Sequence, residues 1–314
     1  MLVRSLEELP ERLRGGAVSI GNFDGVHGGH VRLLEHLVDQ ARQMGASAVV
    51  FTFDPMPEWV LNPATAPLPI CWTERKAELL TQLGVDAVVA YPTSREFLRL
   101  EASEFFWRFI VGQLKAKVLV EGRDFSFGRN RQAQMDQLEW WCQRAGIRLE
   151  VAPPVQWEGR TVSSSWIRQL LAQGQVEKAA QLLTRPYRIR GRVIRGAGRG
   201  RQLGYPTANL RVDRLLIPAE GIYAGRAWVA DQAWPAAVSL GANPTFGEEE
   251  LKIEAFLIGF EGNLYDQVME LEFLARLREV RRFSEVGALL AQMAEDVSAA
   301  QQILAQIQLQ EART

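Results

Sequence analysis

The sequence predicts an α/β fold in two parts, with a helix-covered parallel sheet over residues 1–184 and an antiparallel barrel or sandwich with a terminal helix over residues 185–314. Three observations carry this. Through the first half, short apolar runs without polar alternation trade places with helical patterns, as strands buried on both faces of a parallel sheet require. After about residue 184 the texture changes to short β-branched or aromatic segments punctuated by glycine and proline, the pattern of an antiparallel barrel or sandwich. The length of 314 residues also exceeds the roughly 250 to 300 at which a single core stops growing.

Taken in order, "AVSI" reads as the first core strand, then come "GNFDGVHGGH" and a helix through "HVRLLEHLVDQARQMG". Strand "SAVVFTF", helix "TERKAELLTQLG" and strand "DAVVAYP" follow, and the alternation continues through "SEFFWRFIVGQL", "KVLVEG", "DQLEWWCQRAG" and "IRLEVAP". Gly45, Gly84 and Gly146 stand where helices should end, because glycine takes the left-handed cap conformation without a Cβ penalty. The Trp140-Trp141 pair fits a helix flank touching the sheet. Two helical segments, "SSWIRQLLAQG" and "QVEKAAQLL", close this part. In the second part "GIYAGRAWVA", "AAVSLG", "KIEAFLIGF" and "VMELEFLARL" read as strands. A last helix over 284–310 places Val286, Leu289, Leu290, Met293 and Val297 on one stripe for packing against the barrel.

Composition excludes several classes. With 47% apolar and 23% charged residues the chain has the content of a folded globular protein rather than a disordered one. A net charge of -1 gives no global attraction for nucleic acid or an acidic membrane. Cys71 and Cys142 show no C-x-x-C spacing, so neither a disulfide framework nor a zinc site is encoded, and a reducing cytosol fits. No apolar run approaches the roughly 20 residues of a membrane span, and "MLVRSLEELPERLRGG" is too charged for a signal peptide. A cytoplasmic protein without a membrane partner is therefore expected. Seven arginines lie between Arg185 and Arg201. Their near-alternation in "RIRGRVIR" reads as one solvated strand face, with no aromatic platform for stacking bases, so nucleic acid is not an expected partner. A homo-oligomer stays open.

Two stretches carry chemistry. "SIGNFDGVHGGH", residues 19–30, holds two of the three histidines beside glycines, directly after a core strand. Ligands of a parallel sheet gather at the carboxyl ends of its strands, and the free N–H groups and dipole of the following helix would face that space. His27 and His30 are three residues apart and can share a face, so a phosphate there would meet backbone donors and two imidazoles together. The same string also fits a glycine-rich turn with a capping histidine. "RGAGRGRQLGYPTANL", residues 195–210, is neither a Walker A loop nor a dinucleotide fingerprint, although its glycines would let backbone N–H groups approach an anion closely. Without further context Glu254 reads as an outward-facing strand residue.

The string G-x-F-D-G-x-H-x-G-H resembles the H-x-G-H signature of the nucleotidyltransferase superfamily, and in this longer form the bacterial riboflavin kinase/FAD synthetase family. "VSSSWIR", residues 162–168, resembles the I-S-S-T-x-x-R signature of that superfamily, with Ser165 keeping the hydroxyl of the usual threonine. "RPYRIRGRVIRGAGRGRQLGYPTANL" resembles the start of the riboflavin kinase domain. The resemblance implies a Rossmann-like nucleotidyltransferase domain over 1–184 and a kinase β-barrel over 185–314. It implies a bifunctional enzyme that makes FMN from riboflavin and ATP, then FAD from FMN and ATP. In the first domain it assigns Gly21, Asn22, Phe23, Asp24, Gly29, Ser163 and Ser164 to ATP and its phosphates, and His27, His30 and Arg168 to catalysis. The segments "FTFDPMP" and "EGRDFSFGRN" would border the flavin, through Asp54, Asp124 and Phe127. In the second domain Gly196, Gly198 and Gly200 would cradle phosphates, Thr207 and Asn209 would hold Mg²⁺, and Glu254 would be the general base.

The chain departs from the family pattern at several positions: Met56 stands for a histidine, Ala133-Gln134 for Gly-Asp, Trp166 for an arginine, Phe256 for a histidine and Asp266 for a glycine. These keep two alternatives open. One is a kinase with a weakened adenylyltransferase domain, motivated by Met56, Ala133 and Gln134; the other is a non-catalytic RNA- or flavin-binding module, motivated by the arginine run and Phe256.

Overall fold

The computed structural model describes residues 1–230, 232–242 and 251–311. The chain divides into two compact units, Met1–Ser164 and Ser165–Thr314.

In the first unit β1 (Leu2–Val3), β2 (Ala17–Ile20), β3 (Ala48–Asp54), β4 (Ala87–Pro92), β5 (Val118–Gly122) and β6 (Arg148–Ala152) form one sheet of order β1-β4-β3-β2-β5-β6, and every pairing is parallel. The apolar runs lack alternation because both faces are covered. Ala48 and Val50 of β3 pack with Leu34, Leu37 and Val38, whereas Val49 and Phe51 pack with Phe105, Phe109 and Phe127 on the other side. The covering helices are α1 (Gly28–Gln43), the short α2 (Pro57–Leu61), α3 (Thr73–Gln82), α4 (Ala102–Phe105), which runs on as a π-helical stretch Phe106–Gln113, and α5 (Met135–Ala145). Gly45, Gly84 and Gly146 adopt φ of 60°, 95° and 68° just past helix ends. Trp141 is buried against Phe106 and Phe127, while Trp140 stays half exposed with Arg144 over its ring. A two-stranded hairpin, β7 (Gln156–Trp157) and β8 (Arg160–Thr161), precedes the end of this unit.

The strand order reverses direction about β2: its neighbour β3 leads to one edge of the sheet and β5 to the other. This is the switch point at which ligands of open α/β sheets bind. The loop after β2 is "GNFDGVH", and the loop after β5 begins "RDF".

In the second unit α6 (Ser164–Ala172) and α7 (Val176–Leu183) lead into a closed antiparallel barrel. Its strands are β9 (Tyr187–Ile194), β10 (Ala208–Arg211), β11 (Gly221–Val229), β12 (Gln232–Gly241), β13 (Lys252–Leu257) and β14 (Val268–Arg278), in the order β10-β13-β12-β11-β14-β9. A one-turn helix α8 (Arg199–Gln202) follows β9, and α9 (Val286–Glu311) packs on β11, β12 and β14. Tyr187, Tyr223 and Phe273 fill the interior.

The arginine alternation of β9 is real but its face is not simply solvated. Arg188 donates to Glu270 at 3.0 Å and to Glu272 at 2.7 Å, and Arg226 of β11 donates to the other oxygen of Glu272 at 2.7 Å. Glu272 of β14 lies opposite Arg188 across the ladder and Glu270 opposite Arg190, so cross-strand pairing rather than water takes up the Arg188 charge.

Candidate active sites

The loop after β2 is built under strain. Phe23 and Val26 take φ of 46° and 42°, left-handed values that a β-branched residue rarely adopts and that collect at functional sites. Long-range bonds hold it there. Both carboxylate oxygens of Asp24 accept from the Ile70 N–H, at 3.0 and 3.1 Å, and the side chain is buried. Cys71 Sγ accepts from the Gly25 N–H at 3.4 Å. Thr52 Oγ1 donates to the Asn22 carbonyl at 3.2 Å. Asp24 thus faces the neighbouring backbone and shapes the loop.

His27 is the N-cap of α1, and its Nδ1 accepts from the His30 N–H at 3.4 Å. An accepting Nδ1 carries no proton, so a neutral His27 bears its proton on Nε2. The two rings stack at 3.7 Å with a 16° interplanar angle. Gly29 makes room for this: a Cβ there would stand 3.1 Å from His27 Cε1. The sequence spacing therefore does bring the two imidazoles onto one face beside the helix N-terminus.

Ser164, at the start of α6 and the last residue of the first unit, donates to the Asp24 carbonyl at 2.9 Å. Ser163 precedes it, and the notional Cβ of Gly29 would lie 3.6 Å from the Val162 carbonyl. Arg168 stands one turn along α6 and belongs to the second unit. Gly21 abuts the Phe23 ring, with 3.2 Å available to a Cβ.

The residues expected around the flavin take three different positions. Asp54, at the end of β3, is paired with Arg4 at 2.7 Å. Asp124 lies exposed in the turn after β5. Phe127 is buried in the core, with ring centroids 5.9 Å from Phe105 and 5.8 Å from Trp141, and its backbone pairs with Ala133. Of the departures nearby, Met56 and Ala133 are both buried.

The second constellation converges more tightly. Asn209 of β10 lies opposite Glu254 of β13, and Glu254 lies opposite Ser239 of β12, so three polar side chains form a row across three strands. All three line one cavity together with Thr207, Gly196, Gly198 and Gly200. The glycine loop is laid directly on the candidate metal ligands. A Cβ at Gly196 would stand 2.4 Å from Asn209 Nδ2, and one at Gly200 would stand 2.3 Å from the Tyr205 carbonyl and 3.1 Å from Thr207 Oγ1. Gly198 takes φ +71°. Phe256 meets Tyr205 edge-on at 5.3 Å in the cavity wall, and Leu289, Met293 and Val297 of α9 complete it. Arg278 donates twice to Asp296, at 2.9 and 2.7 Å, fastening α9 to β14 at the cavity. Glu254 therefore faces a cavity, not open solvent.

Sequence reasoning did not single out Ser239, Lys76 or Glu121. Ser239 is signalled only by register. Lys76 occupies a position whose i+3 and i+4 partners, Leu79 and Leu80, are buried, so its place on the apolar face was visible. Glu121 is fully buried at the end of β5, where its carboxylate accepts from the Ile20 N–H at 2.8 Å. Burial pushes its pKa well above the usual carboxylate value, against the lowering effect of that bond. Burial, with Glu121 and Glu139 nearby, also pushes the Cys142 thiol up to about 12.

Comparison with known proteins gives three consistent findings. Residues 9–166 match the family described as FAD synthetase, and residues 183–304 match riboflavin kinase. The chain is 37% identical over 305 residues to the bifunctional riboflavin kinase/FMN adenylyltransferase of Pseudomonas fluorescens, covering 97% of this chain and 98% of that one. It is 31% identical over 297 residues to the Escherichia coli K12 protein of the same description, covering 94% and 95%. A solved structure described as a macrolide-efflux protein from Streptococcus pneumoniae shares the fold with a TM-score of 0.85 at 31% identity, covering 96% of this chain and 98% of that one. That description belongs to the other protein; among the described residues here no helix is long and apolar enough to cross a membrane.

Proposed function

The chain belongs to the bifunctional riboflavin kinase/FMN adenylyltransferase family, and we propose that the two constellations described above carry its two reactions, adenylyl transfer in residues 1–184 and riboflavin phosphorylation in residues 185–314. The enzyme phosphorylates riboflavin to FMN and adenylylates FMN to FAD. This family membership excludes a non-catalytic module.

In adenylyl transfer the FMN phosphate attacks the α-phosphorus of ATP and pyrophosphate leaves, so negative charge grows on the equatorial and leaving oxygens. Donors fixed before reaction stabilise that charge most effectively. The stacked His27 and His30, the N-terminal N–H groups of α1, Gly21, Asn22, Phe23 and Gly29 are proposed for the ATP phosphates. Ser163, Ser164 and Arg168 are proposed for the leaving phosphates by their place in the second signature. Asp24 acts by holding the loop against Ile70. The flavin assignments of Asp54, Asp124 and Phe127 rest on the family pattern.

In riboflavin phosphorylation Glu254 takes the proton from the ribityl 5′-hydroxyl as that oxygen attacks the γ-phosphorus of ATP. Gly196, Gly198 and Gly200 present backbone N–H groups to the phosphates. Thr207 and Asn209 suit Mg²⁺, being hard oxygen donors in one cavity with the loop packed against them. When bound, that ion would neutralise phosphate charge.

The observation carrying this proposal is the cross-strand row Asn209, Glu254, Ser239 inside a cavity lined by the glycine loop. To test it, riboflavin and Mg-ATP are incubated with the enzyme and the flavins resolved over time. FMN followed by FAD is expected from the wild type. Glu254→Gln should lower FMN formation by about 10²- to 10⁴-fold, the usual worth of a general base, yet still make FAD from added FMN. Wild-type FMN formation by that variant would remove Glu254 from the proposal.

A further inference from the structure

Lys76 is a buried lysine with no acidic partner among the described residues. It sits in the first turn of α3, where the helix dipole disfavours a cation, and it is 3% exposed. Its ammonium donates to Thr52 Oγ1 at 3.4 Å, and Thr52 Oγ1 donates onward to the Asn22 carbonyl at 3.2 Å. Among the described residues no carboxylate forms an ion pair with it. At the same turn Asn22 Nδ2 reaches Glu58 at 3.5 Å, but Asn22 Oδ1 is buried with no hydrogen-bond partner among the described residues.

An ammonium withdrawn from water without a counter-charge is strongly disfavoured unless something else supplies the anion. The unsatisfied Asn22 Oδ1, on the residue whose carbonyl the relay reaches, is a second cost. Lys76 reaches, through Thr52, the Asn22 turn of the loop at the sheet's switch point, where the stacked histidines stand. We propose that Lys76 is a positioning residue of the adenylyl site: acting through Thr52, it fixes the Asn22 turn and supplies the positive charge that a phosphoryl anion bound at that turn neutralises. The inference rests on the assignment of residues 21–30 to adenylyl transfer. The anion is a phosphoryl group, from either the ATP polyphosphate or FMN.

The test uses the full chain with Lys76→Met, which keeps the stem and removes the charge, and Thr52→Val, which breaks the relay and keeps the charge. Thermal midpoints are measured without ligand, with sodium pyrophosphate and with FMN, alongside KM and kcat for FAD formation from added FMN. Lys76→Met should melt at the wild-type temperature or above, because a desolvated charge has gone. The midpoint rise given by pyrophosphate or FMN should vanish, and the matching KM should rise by at least about tenfold, as for one charge-assisted contact. Riboflavin phosphorylation should be unchanged. Loss in the pyrophosphate arm identifies the ATP phosphates as the anion, and loss in the FMN arm identifies the flavin phosphate. Thr52→Val should lose less of the anion-induced rise than Lys76→Met. A ligand-free midpoint that falls for Lys76→Met while both anion-induced rises persist would make Lys76 a structural brace and overturn the proposal. His30→Ala is run in parallel: if it makes FAD normally, the adenylyl-site assignment itself fails. If it stalls at FMN while Lys76→Met behaves as wild type, the Lys76 proposal alone fails.

Discussion

Ser164 Oγ donates to the backbone carbonyl of Asp24 at 2.9 Å, across 140 positions of chain. Residues far apart in sequence thus meet at this hydroxyl. The contact makes Ser164 the tie that holds the Asp24 turn, beside the phosphate contact proposed for it.

Ser164→Ala should therefore lower FAD formation from FMN while costing about 0.5–1.5 kcal/mol of stability, the net worth of one such bond. FMN formation should be untouched. Separate kinase and adenylyltransferase assays with a thermal melt check this, and equal losses in both activities would point to general unfolding instead.

Gly196→Ala probes the other site. The added Cβ would meet the Asn209 side chain at 2.4 Å, and that flexible amide can swing away, so stability should change little. The oxygen proposed as a Mg²⁺ ligand would swing away with it. Riboflavin phosphorylation is expected to fall by at least about tenfold, the equivalent of roughly 1.4 kcal/mol of binding, with a weaker response to added Mg²⁺.

Asp296→Ala tests the fastening of α9. Removing one partner of a buried bidentate pair strands the other, at a cost of about 3–5 kcal/mol. Arg278 and Asp296 both line the kinase cavity, so the KM for riboflavin should rise together with the loss of stability. Chemical denaturation and initial rates read the two effects.

Glu121 makes a prediction about pH. Its folded-state pKa is raised above the unfolded value, so the folded chain holds the proton more tightly. Its favourable contribution is complete below the unfolded carboxylate value near 4.3 and declines as the pH rises through the folded pKa. Glu121→Gln retains an uncharged side chain, so its thermal midpoint should exceed the wild type's by a margin that grows from pH 5 to pH 8, at roughly 2–4 °C per kcal/mol. A constant margin across that range would contradict the burial effect.

Much of the fold was legible because it is written in local pattern. Doubly buried strands leave unbroken apolar runs, and Gly45, Gly84 and Gly146 mark helix ends by their left-handed φ. His27 and His30 were legible for the same reason, since i,i+3 spacing at a helix start brings the rings together. The contacts that organise the loop were not, because Asp24 reaches Ile70, Thr52 reaches Asn22 and Glu121 reaches Ile20 only after the sheet has assembled. Glu254 shows both sides of this. Its alternation marks a strand but not which side of the barrel wall holds ligand, and Asn209 and Ser239 became its neighbours through register alone.

The most direct test of the account is the flavin time course of His30→Ala with riboflavin and Mg-ATP. Two separate constellations predict normal FMN formation and FAD formation slowed by about 10²- to 10³-fold, as for loss of one preorganised donor. FAD appearing at the wild-type rate would contradict the placement of adenylyl transfer at the β2–α1 loop.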